Sequence, residues 1–233
     1  CFVPLFQNDN DMATLNFVSE NREIKDVRRI TLKDYGHLFI SQGNDESLRI
    51  EAEPEVLSTV NTRVRDGELI LDIDNGWLGK AWSAVASAVE GRVLKYYLMV
   101  KSLDSIYVQG AATVKMQGLK TESLYITLKG AGELTLSGLD IGLIDAVLPG
   151  AGRINLSGKT DRLQVSMKGA GSFDAPQLES REARIALRGV GKATVFVTSQ
   201  LDATVEGIGV IDYYGRPTLI QNVTGLGKIN ARV

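Results

Sequence analysis

The chain reads Leu128-Lys-Gly-Ala-Gly-Glu-Leu-Thr-Leu136, then Leu148-Pro-Gly-Ala-Gly-Arg-Ile-Asn-Leu156, then Met167-Lys-Gly-Ala-Gly-Ser-Phe-Asp-Ala175. In each copy a Gly-Ala-Gly triplet separates an apolar residue from a run in which apolar and polar side chains alternate. Working outward, Gly-x-Gly or a close variant begins at Gly110, Gly130, Gly150, Gly169, Gly189, Gly207 and Gly225, at intervals of 20, 20, 19, 20, 18 and 18 residues. A fixed period near 20 marks an architecture that stacks one short unit on the next.

The columns around these glycines give the secondary structure. Two residues before the first glycine stand Val108, Leu128, Leu148, Met167, Leu187, Val205 and Val223. Four before it stand Ile106, Ile126, Ala146, Val165, Ile185 and Ala203, with Gln221 breaking the row. Four after it stand Val114, Leu134, Ile154, Phe173, Ala193, Ile211 and Ile229. Alternation with period two is the pattern of strands that bury one face, and recurrent glycine pairs exclude helix. The reading is all-β: a parallel β-helix with coils of about 20 residues, regular over 105–233. Each coil rises by about 4.8 Å, and equivalent side chains stack into interior ladders. The triplets mark one corner, and Gly118, Gly138, Gly158 and Gly215 mark another. Glycine is expected at both, because corners call for φ > 0 and bring backbones close together.

Before residue 105 the rhythm loosens. Residues 1–26 read as an N-terminal arm, and 27–104 as irregular opening rungs of the same domain. Asp66-Gly67, flanked by Val64 and the alternating Leu69, Leu71 and Ile73, predicts a hairpin. Pro54 followed by Glu-Val-Leu predicts the start of a short helix. Within 77–90, Leu78, Trp82, Val85 and Val89 share one helical face, which predicts an inserted helix. It either lies over the solenoid or offers Trp77 and Trp82 to a partner.

Composition narrows the chemistry. The 233 residues include 24 glycines, of which 18 fall in 110–233, but one His and one Cys. That is too few for a zinc centre or a Ser-His-Asp network with parts to spare. A net charge of −2 offers no basic excess for nucleic acid. The triplets lack the third glycine and the following helix of a dinucleotide fingerprint. Residues 9–20 carry Asp9, Asp11 and Glu20 at calcium-loop positions, but Ala13 and Thr14 stand where a ligand and the turn glycine belong. Catalytic residues, cofactor and metal are therefore all read as none. His37 has no Ser, Cys or Asp arrangement around it and reads as an exposed or edge-of-strand histidine.

The repeated strand–Gly-Ala-Gly–strand units resemble the GIN domain, a family described as heads of auto-transporter adhesins. Ile211-Asp-Tyr-Tyr-Gly-Arg-Pro217 is similar to that domain's closing turn, and the pattern up to Asp66-Gly67-Glu-Leu to its opening. The resemblance spans about 27–233. It implies a right-handed β-helix in exported, often lipid-anchored bacterial proteins, and implies no catalytic activity.

Three groups of residues remain as candidates for function. Cys1, the one cysteine, fits the acylated residue of a bacterial lipoprotein, which predicts an extracytoplasmic, membrane-anchored location. Trp77 and Trp82 are candidates for partner contact. Five residues after each first glycine stand Lys115, Thr135, Asn155, Asp174, Thr194, Asp212 and Asn230. This outward column predicts a polar ladder at about 4.8 Å spacing that could match a repeating glycan, or could be solvated surface. Asp174 and Asp212, two coils and about 9.5 Å apart, fall near the separation used by inverting glycosidases. The sequence reads best as a non-enzymatic cell-surface or periplasmic adhesion module that presents flat faces to a glycan or protein partner. Its rivals are a self-assembling surface protein (a homo-oligomer) and, third, a polysaccharide-active β-helix enzyme.

Overall fold

The computed structural model describes residues 17–74 and 94–232. Cys1 and the 77–90 segment with Trp77 and Trp82 lie outside them. In chain order the first elements are β1 (Val18–Arg22), β2 (Arg29–Leu32), β3 (Gly36–Gln42), β4 (Ser47–Ala52), α1 (Pro54–Leu57), β5 (Val60–Arg65) and β6 (Glu68–Ile73). Then come β7 (Lys95–Val100), β8 (Ser105–Val108), β9 (Ala112–Leu128), β10 (Glu133–Leu148), β11 (Arg153–Met167), β12 (Ala170–Leu187) and β13 (Val190–Val205). The last are β14 (Ile208–Tyr214), β15 (Thr218–Val223) and β16 (Leu226–Ala231). Together they form a β-solenoid of about 6 turns with coils of roughly 20 residues.

Each of the long strands β9–β13 supplies most of one coil. Its first half belongs to one face of the solenoid and its second half to another. Thus Val114 pairs in register with Leu134 and Leu134 with Ile154, while on the second face Ile126 pairs with Ala146 and Ala146 with Val165. The apolar columns read from the sequence become the interior: Leu128, Leu134, Ile154, Phe173, Leu187 and Ile211 are all at most 1% exposed. Each such side chain stabilises by about 1.5–3 kcal/mol relative to an exposed one.

The two corners use glycine for different reasons. Among the described residues, Gly118 (φ +74°), Gly138 (φ +65°), Gly158 (φ +127°) and Gly215 (φ +94°) hold left-handed backbone. In the triplet column only Gly225 does, with φ +138°. The other triplet glycines are required for space: a Cβ on Gly130 would stand 1.8 Å from the Gly110 carbonyl oxygen, and one on Gly169 would stand 1.9 Å from that of Gly150. The expectation of φ > 0 at that corner is therefore corrected for every first glycine but Gly225, and the others are required by the close approach of neighbouring coils.

The opening rungs join the same stack, but out of chain order. Ile30 of β2 pairs with Leu69 of β6 on one side and Ile106 of β8 on the other. Leu38 of β3 likewise lies between Tyr96 of β7 and Val114 of β9. The rung of β2 and β3 is thus inserted between that of β6 and β7 and the first regular coil. The chain reaches the lower level through β4 and β5, which run antiparallel against β7 and β6. Val18–Arg22, part of the expected arm, forms a strand that pairs antiparallel with β4. At this end one face is therefore edged by the reversed strand β5, and on the other the reversed β4 is followed by β1, which runs in the direction of the stack again. Asp66 (φ +50°) and Gly67 (φ +75°) make the expected hairpin turn with left-handed φ at both centres, the geometry that favours Asp-Gly. The predicted helix start at Pro54 is α1, with Val56 and Leu57 buried.

Candidate functional site

Where a triplet corner meets the next strand, the residue between the glycines points outward. These positions are Ala111, Ala131, Ala151, Ala170, Val190, Ile208 and Leu226. Alanine is short, and the flanking glycines carry no side chain, so the surface sinks. The result is a groove of about 790 Å³ that crosses five coils, from Ala111 to Val190. Its floor is backbone and alanine methyl groups, and Thr113, Glu133, Arg153 and Ser172 form one wall. The wall residues pair rung to rung, Thr113 with Glu133, Glu133 with Arg153, and Arg153 with Ser172. They repeat at the rung spacing and offer a hydroxyl, a carboxylate, a guanidinium and a second hydroxyl in sequence.

The predicted polar ladder exists as a register. Thr135 pairs with Asn155, Asn155 with Asp174, Asp174 with Thr194, Thr194 with Asp212 and Asp212 with Asn230. It is not a uniformly open face, however. Thr194 is 7% exposed and Asp212 3% exposed. Its groups also bond to one another and to their neighbours. Asn155 Nδ2 donates to Glu133 Oε1 at 2.9 Å and to Thr135 Oγ1 at 3.3 Å, and Asn230 Nδ2 donates to Asp212 Oδ1 at 3.0 Å. Polar side chains stacked every rung are near enough to satisfy each other, so much of the ladder is spent holding coils together.

Asp212 is the clearest case. Lys192 Nζ lies 3.0 Å from its Oδ2, and an Arg232 guanidinium nitrogen 2.9 Å from its Oδ1. Burial alone would raise the carboxyl pKa, but the bonds from Asn230, Lys192 and Arg232 outweigh it and hold the group below the usual carboxylate range. An acid fixed in its ionised form by three donors is a structural clamp, and it is unsuited to donate a proton.

Below Lys115 the same column continues with residues that the sequence reading did not join to it. Lys115 pairs with Phe39, Phe39 with Tyr97, and Tyr97 with Arg49. The Phe39 and Tyr97 rings stack with centroids 5.2 Å apart, and the Arg49 guanidinium lies 4.4 Å from the Tyr97 centroid. The signal was unreadable from spacing because these rungs do not follow chain order. His37 is half-buried on β3, and burial, then Lys115 and Lys95, push its pKa down. The groove walls were missed for a different reason. They stand two residues before the ladder, with the same outward parity, but only the short alanines beside them reveal that they border a depression.

A family model described as "Putative auto-transporter adhesin, head GIN domain" matches residues 26–217. The chain belongs to this family. Solved structures share the fold of this GIN-domain chain. A "putative adhesin" from Bacteroides fragilis aligns with TM-score 0.83 and 24% identity, over 93% of this chain and 97% of that one. A "putative lipid binding protein" from Parabacteroides distasonis aligns with TM-score 0.71 and 20% identity, over 94% and 97%. A "putative adhesin" from Parabacteroides merdae aligns with TM-score 0.64 and 19% identity, over 93% and 96%. No protein of curated function matches the sequence. The family's description as an adhesin head places the chain with adhesion-type modules of the extracellular or surface class.

Proposed function

We propose that this GIN domain binds an extended glycan along the triplet groove, as the contact surface of an adhesion module. The observation that carries the reading is the groove: a shallow trough about 790 Å³ in volume, with a smooth floor and polar wall groups. Those groups recur once per coil, at about 4.8 Å. A linear polysaccharide also repeats hydroxyl and ring faces at short, regular intervals. A regular row of donors and acceptors can therefore engage several units at once, each weakly, and gain by multivalency. The mixed signs of Glu133 and Arg153 suit hydroxyl-rich chains better than a uniformly charged polymer. A protein partner would use the same face but would not need the repeat.

A glycan array and pull-down with insoluble polysaccharides test the idea. The variant Ala151→Trp fills the trough at an exposed position, and Arg153→Ala removes one wall donor. Binding that is lost in the first and weakened in the second supports the reading. Polysaccharide binding indifferent to both, or no polysaccharide bound at all, overturns it.

A further inference from the structure

The two ends of the solenoid are finished differently. At the end that holds β6 and β7, the edge strands are β1 on one face and β5 on the other. Both carry charges, Glu20 and Arg22 in β1 and Arg63 and Arg65 in β5, the usual means of discouraging edge pairing. At the opposite end the edges are β15, paired only with β13, and β16, paired only with β14, among the described residues. β15 contains no charged residue, and Lys228 is the one charge in β16. The apolar surface also collects here. Val190, Ile208, Ile220, Val223 and Leu226 are 56, 55, 55, 42 and 79% exposed, although Val223 continues a column that is otherwise closed.

From this asymmetry we infer that the β15/β16 end is a docking surface for a second copy of the chain, joined end to end about a two-fold axis. A two-fold normal to both the rod and β15 reverses that strand's direction, so β15 meets β15 of the second copy antiparallel. Antiparallel partners must place inward residues opposite inward residues. Leu219, Gln221 and Val223 are the inward residues of β15, because they pair with Leu201, Ala203 and Val205, all 0% exposed. With the axis at Gln221, Leu219 faces Val223 of the second copy, and the two Gln221 amides face each other. Gln221 is the one polar residue in its interior column. Two such amides can each donate to the other's carbonyl, a polar pair that fixes register within an apolar seam. Head-to-tail stacking would instead set the uncharged β15 against β5, with its Arg63 and Arg65. The isologous contact therefore closes at two copies and does not propagate into a fibre.

Sedimentation velocity across a concentration series, with site-directed cross-linking, tests the surface. The chain should show a monomer–dimer equilibrium, and Ile220→Lys, at an exposed edge position, should raise its dissociation constant by about tenfold or more while the circular dichroism and melting curve stay unchanged. In a Cys1→Ser background, Gln221→Cys should oxidise to a covalent dimer, because the axis brings that residue against its own copy, and Lys228→Cys should not. A chain that stays monomeric at its highest soluble concentration overturns the proposal. So does a dimer that ignores Ile220→Lys and fails to cross-link at 221, since it would use another face.

Discussion

Two columns of glycine run the length of the solenoid, and only one is about backbone conformation. At the triplet corner, neighbouring coils lie so close that a Cβ would strike the carbonyl oxygen one coil away, at 2.3 Å for Gly150 and 2.0 Å for Gly189. At the second corner Gly118 has open space where a Cβ would go, and Gly138 has nothing nearer than 3.5 Å, yet both hold left-handed φ. The triplet corner is limited by packing between coils and the second corner, at Gly118 and Gly138, by torsion within a coil, whereas Gly158 and Gly215 meet both limits. The first limit is rigid, since backbone cannot be pushed aside without breaking the stack; the second is a local cost of about 1–2 kcal/mol.

Substitution at the two corners should separate these limits, and the largest effect is expected at Gly130. Gly130→Val should cost more than about 4 kcal/mol, because branched atoms meet the Gly110 backbone with no route of escape. The chain should then fail to give a cooperative melt, or melt far below the parent in a calorimetric scan. A melt close to the parent's would mean that the coils can separate at this corner.

Gly158 belongs to the second column but has both constraints. Its φ is +127°, and a Cβ would lie 2.3 Å from the Leu139 carbonyl oxygen. The cause is a register shift, in which Leu139 pairs with Gly158 after a break beyond Leu136. Gly158→Ala should therefore destabilise by about 3 kcal/mol, nearer to the triplet class than to its own column. Chemical denaturation decides between the two.

At the last rung the triplet corner changes character, since Gly225 alone in its column has a left-handed φ. Here the Asp212 clamp ties β14 to Arg232 and Asn230 by side chains. Asp212→Asn should cost about 2 kcal/mol through loss of charge-assisted bonds. The sign of its pH dependence follows from a folded pKa held below the ordinary value. The clamp contributes in full above the unfolded carboxylate pKa, near 3.8, and is lost as pH falls through the lower folded value. Acid titration of stability should show a smaller loss in Asp212→Asn than in the parent.

How much of this was legible beforehand depends on chain order. From residue 105 onward, position in the sequence maps onto position in the stack, so a period and a parity suffice. They placed Leu134 over Val114 and Asp174 beside Asn155 correctly. Before 105 the map fails, because the rung of Ile30 and Leu38 is inserted between two later ones, and no local pattern encodes that insertion. The ladder shows a subtler limit. Parity says that Thr194 and Asp212 face outward, but it does not say whether neighbours such as Lys192 and Arg232 close over them. The groove lay in the same data, since short side chains beside glycines predict a depression wherever coils stack. It was hidden only because alanine invites no chemical reading.

The mildest substitutions test whether the second corner is torsional and nothing more. Gly138→Ala should cost about 1 kcal/mol, the price of left-handed φ for an ordinary side chain. Gly118→Asn should cost less, a few tenths of a kcal/mol, because asparagine tolerates that region and Gly118 has nothing within 4 Å of a Cβ. The pair matters more than either value. If torsion is the limit, asparagine must be better than alanine at both Gly118 and Gly138, although it is the larger residue. If hidden crowding is the limit, the order reverses, and alanine is the better tolerated at each. Melting curves of the four single variants would therefore show whether this corner differs in kind from the triplet corner or only in degree.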